Sequence, residues 1–253
     1  LSRRLPSAFQ GGELAEHSWC SLQMNKLLIA TNNKGKIKEL QDLLKDIKVE
    51  LVTPSQINLE LDVVEDGKTY AENASKKATA FAKASHLVSL ADDSGLEVDV
   101  LSGAPGLYSA RYGPPLALPP SRLSGMGGVG GELTDKDRRL YLLQNLQDKP
   151  RPWTARFRAT IAIAIPKSLW SQAARRLEVQ EQAPALQIFE ATCKGEIIPE
   201  ERGMGGFGYD PIFLLKDLGK TMAELSMKEK NRLSHRAKAV MKGKLILFEI
   251  FRS

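Results

Sequence analysis

Cysteine is nearly absent from this chain. Its 253 residues hold two, Cys20 and Cys193, far apart in the sequence, too few thiols for a cysteine framework. That excludes both a disulfide framework and a zinc site from the reading, and a reducing compartment, the cytoplasm, is the expected location. Aromatic residues are also scarce, at 6%, and lie mainly apart from the lysine runs. Proteins that grip single-stranded nucleic acid interleave rings with basic residues, so no nucleic-acid partner is expected. No window approaches the roughly 18 apolar residues of a membrane helix, and the first twenty residues lack the apolar centre of a signal peptide. No membrane partner is expected, and no internal repeat is visible.

What is present suits a packed domain that meets an anion. Apolar residues make up 42% of the chain, ample for a core, and 36 Lys and Arg against 30 Asp and Glu leave a net charge of +6. The patterned chain starts at Met24. Residues 1–23 carry Arg3 and Arg4 but also Glu13 and Glu16, a mixture that argues against a transit peptide. They read as a disordered extension or as sequence upstream of the true start, with one domain over 24–253.

Strands and helices alternate along that domain. Leu27 to Thr31 reads as a strand and Lys34 to Leu44 as a helix with Ile37, Leu40, Leu43 and Leu44 on one face. Val49 to Thr53 reads as a second strand, and Thr69-Tyr70-Ala71-Glu72 as a capping box that opens a helix to about Ser85. Leu87 to Ala91 is a short strand expected to end at Asp92-Asp93-Ser94-Gly95, with another strand from Leu96 to Leu101. A helix follows Thr134. Arg156 to Ile165 and Ile188 to Ile198 read as long paired strands, and a last helix begins at Ser234. The pattern predicts an α/β fold. Residues 114–131, low in complexity, and 168–187 read as surface insertions.

Four polar segments interrupt this pattern. ATNNKGK, residues 30–36, joins a strand to a helix start, where backbone N–H groups, the lysines and the asparagine amides can satisfy phosphate oxygens, although a solvated turn is the plainer reading. Asp92-Asp93-Ser94-Gly95 offers two carboxylates suited to Mg²⁺, with Glu65 and Asp66 as further candidates from another loop, or else a simple Asx turn. Gly205 to Pro211, GGFGYDP, lets a backbone approach a flat ligand while a ring stacks on it, or plugs the core beside a tight turn. Ser234-His235-Arg236, with Lys230 one turn earlier, places a cation and a titratable donor at a helix start, or is an N-cap with solvated neighbours.

Taken together and in this order, TNNKGK, VVEDGKTYAENASKKA, LADDSGLEVDVLSGAPGLYSARY, GGFGYDPIF and KNRLSHR resemble the inosine triphosphate pyrophosphatase family over about Met24 to Arg252. The resemblance implies an elongated two-lobed fold with a long twisted mixed β-sheet flanked by helices and a nucleotide cleft between the lobes. It implies a homodimer that hydrolyses the purine nucleoside triphosphates ITP, dITP and XTP, with Mg²⁺, to the monophosphate and pyrophosphate. By position, Asp93 matches the catalytic aspartate and a metal ligand, Glu65 the second metal carboxylate, and Ser94 a substrate contact. Thr31, Asn32, Asn33, Lys34, Gly35 and Lys36 match the triphosphate loop. Phe207, Gly208, Tyr209 and Asp210 match the nucleotide loop, and Lys77, with Lys76 as its competitor, Lys230, His235 and Arg236 the remaining substrate contacts.

On this reading an aspartate beside Mg²⁺ stays ionised, so positioning rather than a raised pKa would make Asp93 a base. Donors from His235 and Arg236 would favour a six-keto purine over adenine. Two rivals from other classes are a catalytically inactive nucleotide sensor, which would keep the same loops, and a basic single-strand nucleic-acid binder.

Overall fold

The computed structural model describes residues 25–114, 133–180 and 185–252. The expected 1–23 extension and the 114–131 insertion, apart from its first residue, lie outside them. Strand β1 (Lys26–Ile29) leads into helix α1 (Lys34–Leu44), then β2 (Glu50–Val52), α2 (Tyr70–Ser85) and β3 (Val88–Val98). Helix α3 (Asp135–Leu146) precedes β4 (Trp153–Ala164), α4 (Lys167–Arg176) and β5 (Leu186–Ile197). The chain closes with β6 (Phe213–Leu215), β7 (Lys220–Thr221), α5 (Met227–Leu233) and α6 (His235–Ile250).

These strands make one mixed sheet in the order β2-β1-β3-β4-β5-β6-β7. β1 is parallel to both neighbours, and α1 and α2 supply the crossovers that parallel pairing requires. From β3 onward every pairing is antiparallel. The strand pleat sends alternate residues of β1 to opposite faces: Leu27 and Ile29 pack with Leu40, Val88, Ile161 and Val240, whereas Leu28 and Ala30 pack under α2 against Ala74, Ala78 and Phe81. Buried alanines, Ala74, Ala78 and Ala82, let α2 lie close on the sheet. At the other end of β3, β4 and β5 a separate core gathers Leu96, Leu142, Trp153, Phe157, Ile212, Phe213 and Met222. The long strands β4 and β5 run through both lobes.

Two expectations need correction. Asp92-Asp93-Ser94-Gly95 does not end a strand; it lies in the middle of β3, and every residue from Ser89 to Val98 faces a partner on β4. A continuous antiparallel ladder outweighs the local preference of Asp-Ser-Gly for turns, because each ladder residue satisfies backbone groups that a buried turn would leave unpaired. Residues 168–187 are also more than a surface insertion. α4 buries Leu169, Trp170, Ala173 and Ala174 in the first core, and the Arg176 guanidinium donates to the Ile250 carbonyl at the end of α6.

Candidate active site

One cleft of about 630 Å³ collects residues from all the polar segments: Thr31, Asn33 and Lys36, then Glu65 and Lys77, then Asp93 and Ser94, then Phe207 to Asp210, and finally Lys230, His235 and Arg236. Two hollows of similar size, about 650 and 710 Å³, lie elsewhere, one against α6 and β5 and one beside α4, and neither gathers these segments.

The turn after β1 is shaped by its own side chains. Asn33 caps α1, accepting the Lys36 N–H at 3.0 Å, and the Thr31 hydroxyl accepts the Asn33 N–H at 3.2 Å. The Asn33 carbonyl oxygen is thereby occupied, and Asn32 and Lys34 are exposed and do not line the cleft. Of the six residues expected to form the loop's grip, the cleft is lined by Thr31, Asn33 and Lys36. The reason is geometric: in a strand-to-helix turn successive side chains point apart, so a run of six cannot all face one side.

Lys36 does not project freely. Its ammonium sits 3.0 Å from the Asp92 carboxylate and 3.2 Å from the Asp92 carbonyl. Asp92, fully buried, is also held by Arg236 Nε at 3.1 Å and Nη2 at 3.0 Å, and Arg236 Nη2 donates to the Ser94 hydroxyl at 2.9 Å. Arg236 Nη1 reaches Glu39, whose other oxygen lies 2.5 Å from Lys230, and Lys230 in turn meets Asp210 at 2.6 Å. Lys36, Asp92, Arg236, Glu39, Lys230 and Asp210 thus form one buried chain of alternating charge that ties α1, β3, the loop before β6, α5 and α6 together. Burial tends to raise the Asp92 and Glu39 carboxyls, but Arg236 with Lys36 or Lys230 outweighs it and holds both below the usual range. Asp210 goes the other way: burial lifts it, and Lys230, shared with Glu39, offsets this only in part.

Asp93 faces the opposite side of β3, as strand alternation requires. Burial raises its carboxyl above the ordinary range against the pull of Lys36, the Asn73 side chain and Lys77. Its Oδ2 is buried with no hydrogen-bond partner. Asn73 accepts the Gly67 N–H at 2.8 Å and so links Asp93 to the loop bearing Glu65. Lys77, with 13% of its side chain exposed, pairs with Glu65 at 2.6 Å, whereas Lys76 pairs with Asp66 at the surface. Of the two competing lysines, Lys77 is the one that lines the cleft.

At the far end, His235 stacks on Phe157 with ring centroids 4.7 Å apart, and burial, reinforced by Arg236, holds its pKa well below the usual value, so the ring is neutral at pH 7. The Phe207 ring lies 5.2 Å from the Lys230 ammonium and 5.5 Å from the Arg236 guanidinium. It rests directly on Gly35 in the first turn of α1: a Cβ at Gly35 would stand 2.5 Å from the ring. Gly35→Ala must therefore displace Phe207. We expect the variant to fold and, if the substrate is the ITP that the family resemblance implies, its apparent KM to rise about tenfold, which steady-state kinetics would read. An unchanged KM would show that the ring's seat is irrelevant to binding.

Three groups in or beside this cleft escaped the sequence reading. Glu39 was hidden among the apolar positions of α1, but a carboxylate on an inward helical face, three residues after Lys36, was the available signal. Asn73, 3% exposed on α2, and Asp135, which accepts the Gly208 N–H at 2.7 Å, carried none.

A model of the Ham1 family matches residues 27–244. The dITP/XTP pyrophosphatase of Desulforamulus reducens is 41% identical over 226 residues, 89% of this chain and 97% of the relative, and that of Bacillus subtilis is 37% identical over 219 residues, 87% and 95%. Among solved structures, a HAM1 protein from Coxiella burnetii superposes with a TM-score of 0.68 at 33% identity, covering 88% of this chain and 98% of its own.

Proposed function

The chain belongs to the Ham1 family, and on that footing we propose that it hydrolyses the non-canonical purine triphosphates ITP, dITP and XTP to the monophosphate and pyrophosphate, acting on the cytoplasmic nucleotide pool as a homodimer. The observation that carries the reading is the cleft itself: a partnerless buried carboxylate oxygen on Asp93 stands between a lysine-bearing helix start and an aromatic loop.

Mg²⁺ fits this donor set. The unpartnered buried oxygen of Asp93 and the carboxylate of Glu65, both lining the cleft, are hard oxygen donors of the kind Mg²⁺ takes one or two of while waters and substrate phosphates complete its shell. Asp93 and Glu65 would hold it, and when bound it supplies Lewis-acid charge neutralisation at the phosphoryl oxygens. Binding would also draw the Asp93 carboxyl back down from the raised value that burial gives it.

The chain's own residues do the rest. Lys36, the Thr31 hydroxyl and the N–H groups opening α1 receive the triphosphate. Phe207 offers a ring face to the purine, and buried donors on Arg236 and neutral His235 favour a keto oxygen at the six-position, leaving adenine's amine facing donors. Asp93 accepts a proton from the attacking water as its oxygen bonds to the α-phosphorus; the bond from that phosphorus to the bridging oxygen breaks, and pyrophosphate leaves.

Pyrophosphate release should be measured with ITP, dITP, XTP, ATP and GTP in the presence of Mg²⁺. The first three are expected to turn over with kcat/KM at least about a hundredfold above ATP, the scale set by leaving a buried donor unpaired. Binding of ITP without release would instead identify a nucleotide sensor, and equal use of all five would remove base selection from the proposal. Size-exclusion chromatography reads the dimer independently.

A further inference from the structure

The nucleotide loop is hinged on both sides of Phe207. Gly206 and Gly208 have φ of +74° and +61°, a region open mainly to glycine, so the local chain does little to fix the ring between them. The Phe207 N–H donates to Asp210 Oδ2 at 2.9 Å, but the peptide units on either side of Gly208 are held from elsewhere. The Gly208 N–H donates to Asp135 Oδ2 at 2.7 Å, and the Gly208 carbonyl accepts from Arg139 Nη1 at 2.8 Å. Both partners stand on α3, whose start is locked by a reciprocal cap between Thr134 and Asp137.

Arg139 is 9% exposed and belongs to the inward face of α3 with Leu142 and Leu146. A buried guanidinium is costly unless its donors are used. Here two of them, Nε and Nη2, grip Glu201 at 2.8 and 3.0 Å, and that bond holds the Glu201 carboxyl below its ordinary range. The third reaches Gly208. Arg139 thereby spans the loop from its beginning at Glu201 to the residue after Phe207. Its neighbour Arg138 lines the cleft, whereas Arg139 does not.

We propose that Arg139 is a positioning residue for base recognition: its bond to the Gly208 carbonyl fixes the orientation of the Phe207 ring without touching the ligand. This rests on the nucleotide reading above. On that reading the grip on the phosphates belongs to residues of α1 and β3, whereas Arg139 bonds to Glu201 and Gly208, so loss of Arg139 should weaken discrimination of the base and spare the triphosphate.

The test compares Arg139→Met, Arg139→Lys and Glu201→Gln. Arg139→Met should raise the KM for ITP about tenfold with kcat changed less than about threefold, and should narrow the ITP-to-ATP ratio of kcat/KM, while inhibition by inorganic tripolyphosphate stays within about twofold. Arg139→Lys, which keeps a single donor nitrogen, should recover part of the loss, and Glu201→Gln, which leaves the Gly208 bond in place, should stay near the parent. Equal losses in Arg139→Met and Glu201→Gln, or a parallel fall in tripolyphosphate affinity, would reduce Arg139 to a structural ion pair. If Arg139→Met does not fold, the Lys and Gln variants decide by the same criterion. Amide hydrogen exchange over residues 203–212 separates this proposal from the proposed activity: faster exchange in the Arg139 variants than in Glu201→Gln supports the clamp even if no triphosphate is turned over, and unchanged exchange overturns it.

Discussion

Asp93→Asn is expected to lower hydrolysis of ITP by about 10² to 10⁴-fold while leaving the fold and most nucleotide affinity in place. The asparagine has the same shape, keeps an oxygen that the Asn73 side chain can meet, and removes only the capacity to accept a proton and carry charge. The parent carboxylate has one buried oxygen without a partner and is raised by burial despite Lys36 and Lys77, so its charge is a cost to the folded chain. Neutralising it should leave the melting temperature equal or slightly higher. Kinetics with ITP, a binding isotherm and a thermal melt together check this. A variant that keeps more than about a tenth of the parent rate would remove Asp93 from the proton transfer.

The neighbouring carboxylate should behave in the opposite way. Asp92→Ala is expected to destabilise the protein by about 3–5 kcal/mol, because it strips a buried carboxylate from Lys36 and Arg236 at once and leaves Arg236 with Glu39 as its remaining partner. For a domain of this size that is a fall on the order of 10 °C in melting temperature. Activity should fall as well, since both cations are expected substrate contacts and each would lose an anchor. Denaturant or thermal unfolding of Asp92→Ala beside Asp93→Asn is the direct comparison. If the two variants melt together, the buried charge chain is not what holds the cleft's floor. The contrast arises from the pleat alone: adjacent residues of β3 point to opposite sides, one into a cage of cations and the other into the cleft.

The fold was legible wherever a local signal and the tertiary outcome agree. α1, α2 and α3 begin where the capping residues Asn33, Thr69 and Thr134 stand, and the apolar runs that became β1, β4 and β5 were found within a few residues of their ends. It was misread where long-range pairing wins. Asp-Asp-Ser-Gly has the composition of a turn, and only the ladder with β4 makes it a strand interior. Leu169, Trp170, Ala173, Ala174 and Leu177 stand at helical spacing, an apolar stripe that the reading of 168–187 as a surface insertion passed over, and α4 packs them on the first core.

The site divides in the same way. From the order of residues alone one could determine that a lysine-rich helix start, a pair of aspartates, a glycine-aromatic loop and a Ser-His-Arg helix start occur in the sequence of a known family. These are properties of the chain's covalent order, and motif order survives any folding. Which aspartate faces the cleft, which of Lys76 and Lys77 enters it, and that Glu39 meets Arg236, Asn73 meets Gly67 and Arg139 meets Gly208 were decided by tertiary structure. Most depend on contacts between residues far apart in sequence, such as Glu39 with Arg236 and Arg139 with Gly208, where burial makes an unpaired charge costly and so dictates who must meet whom.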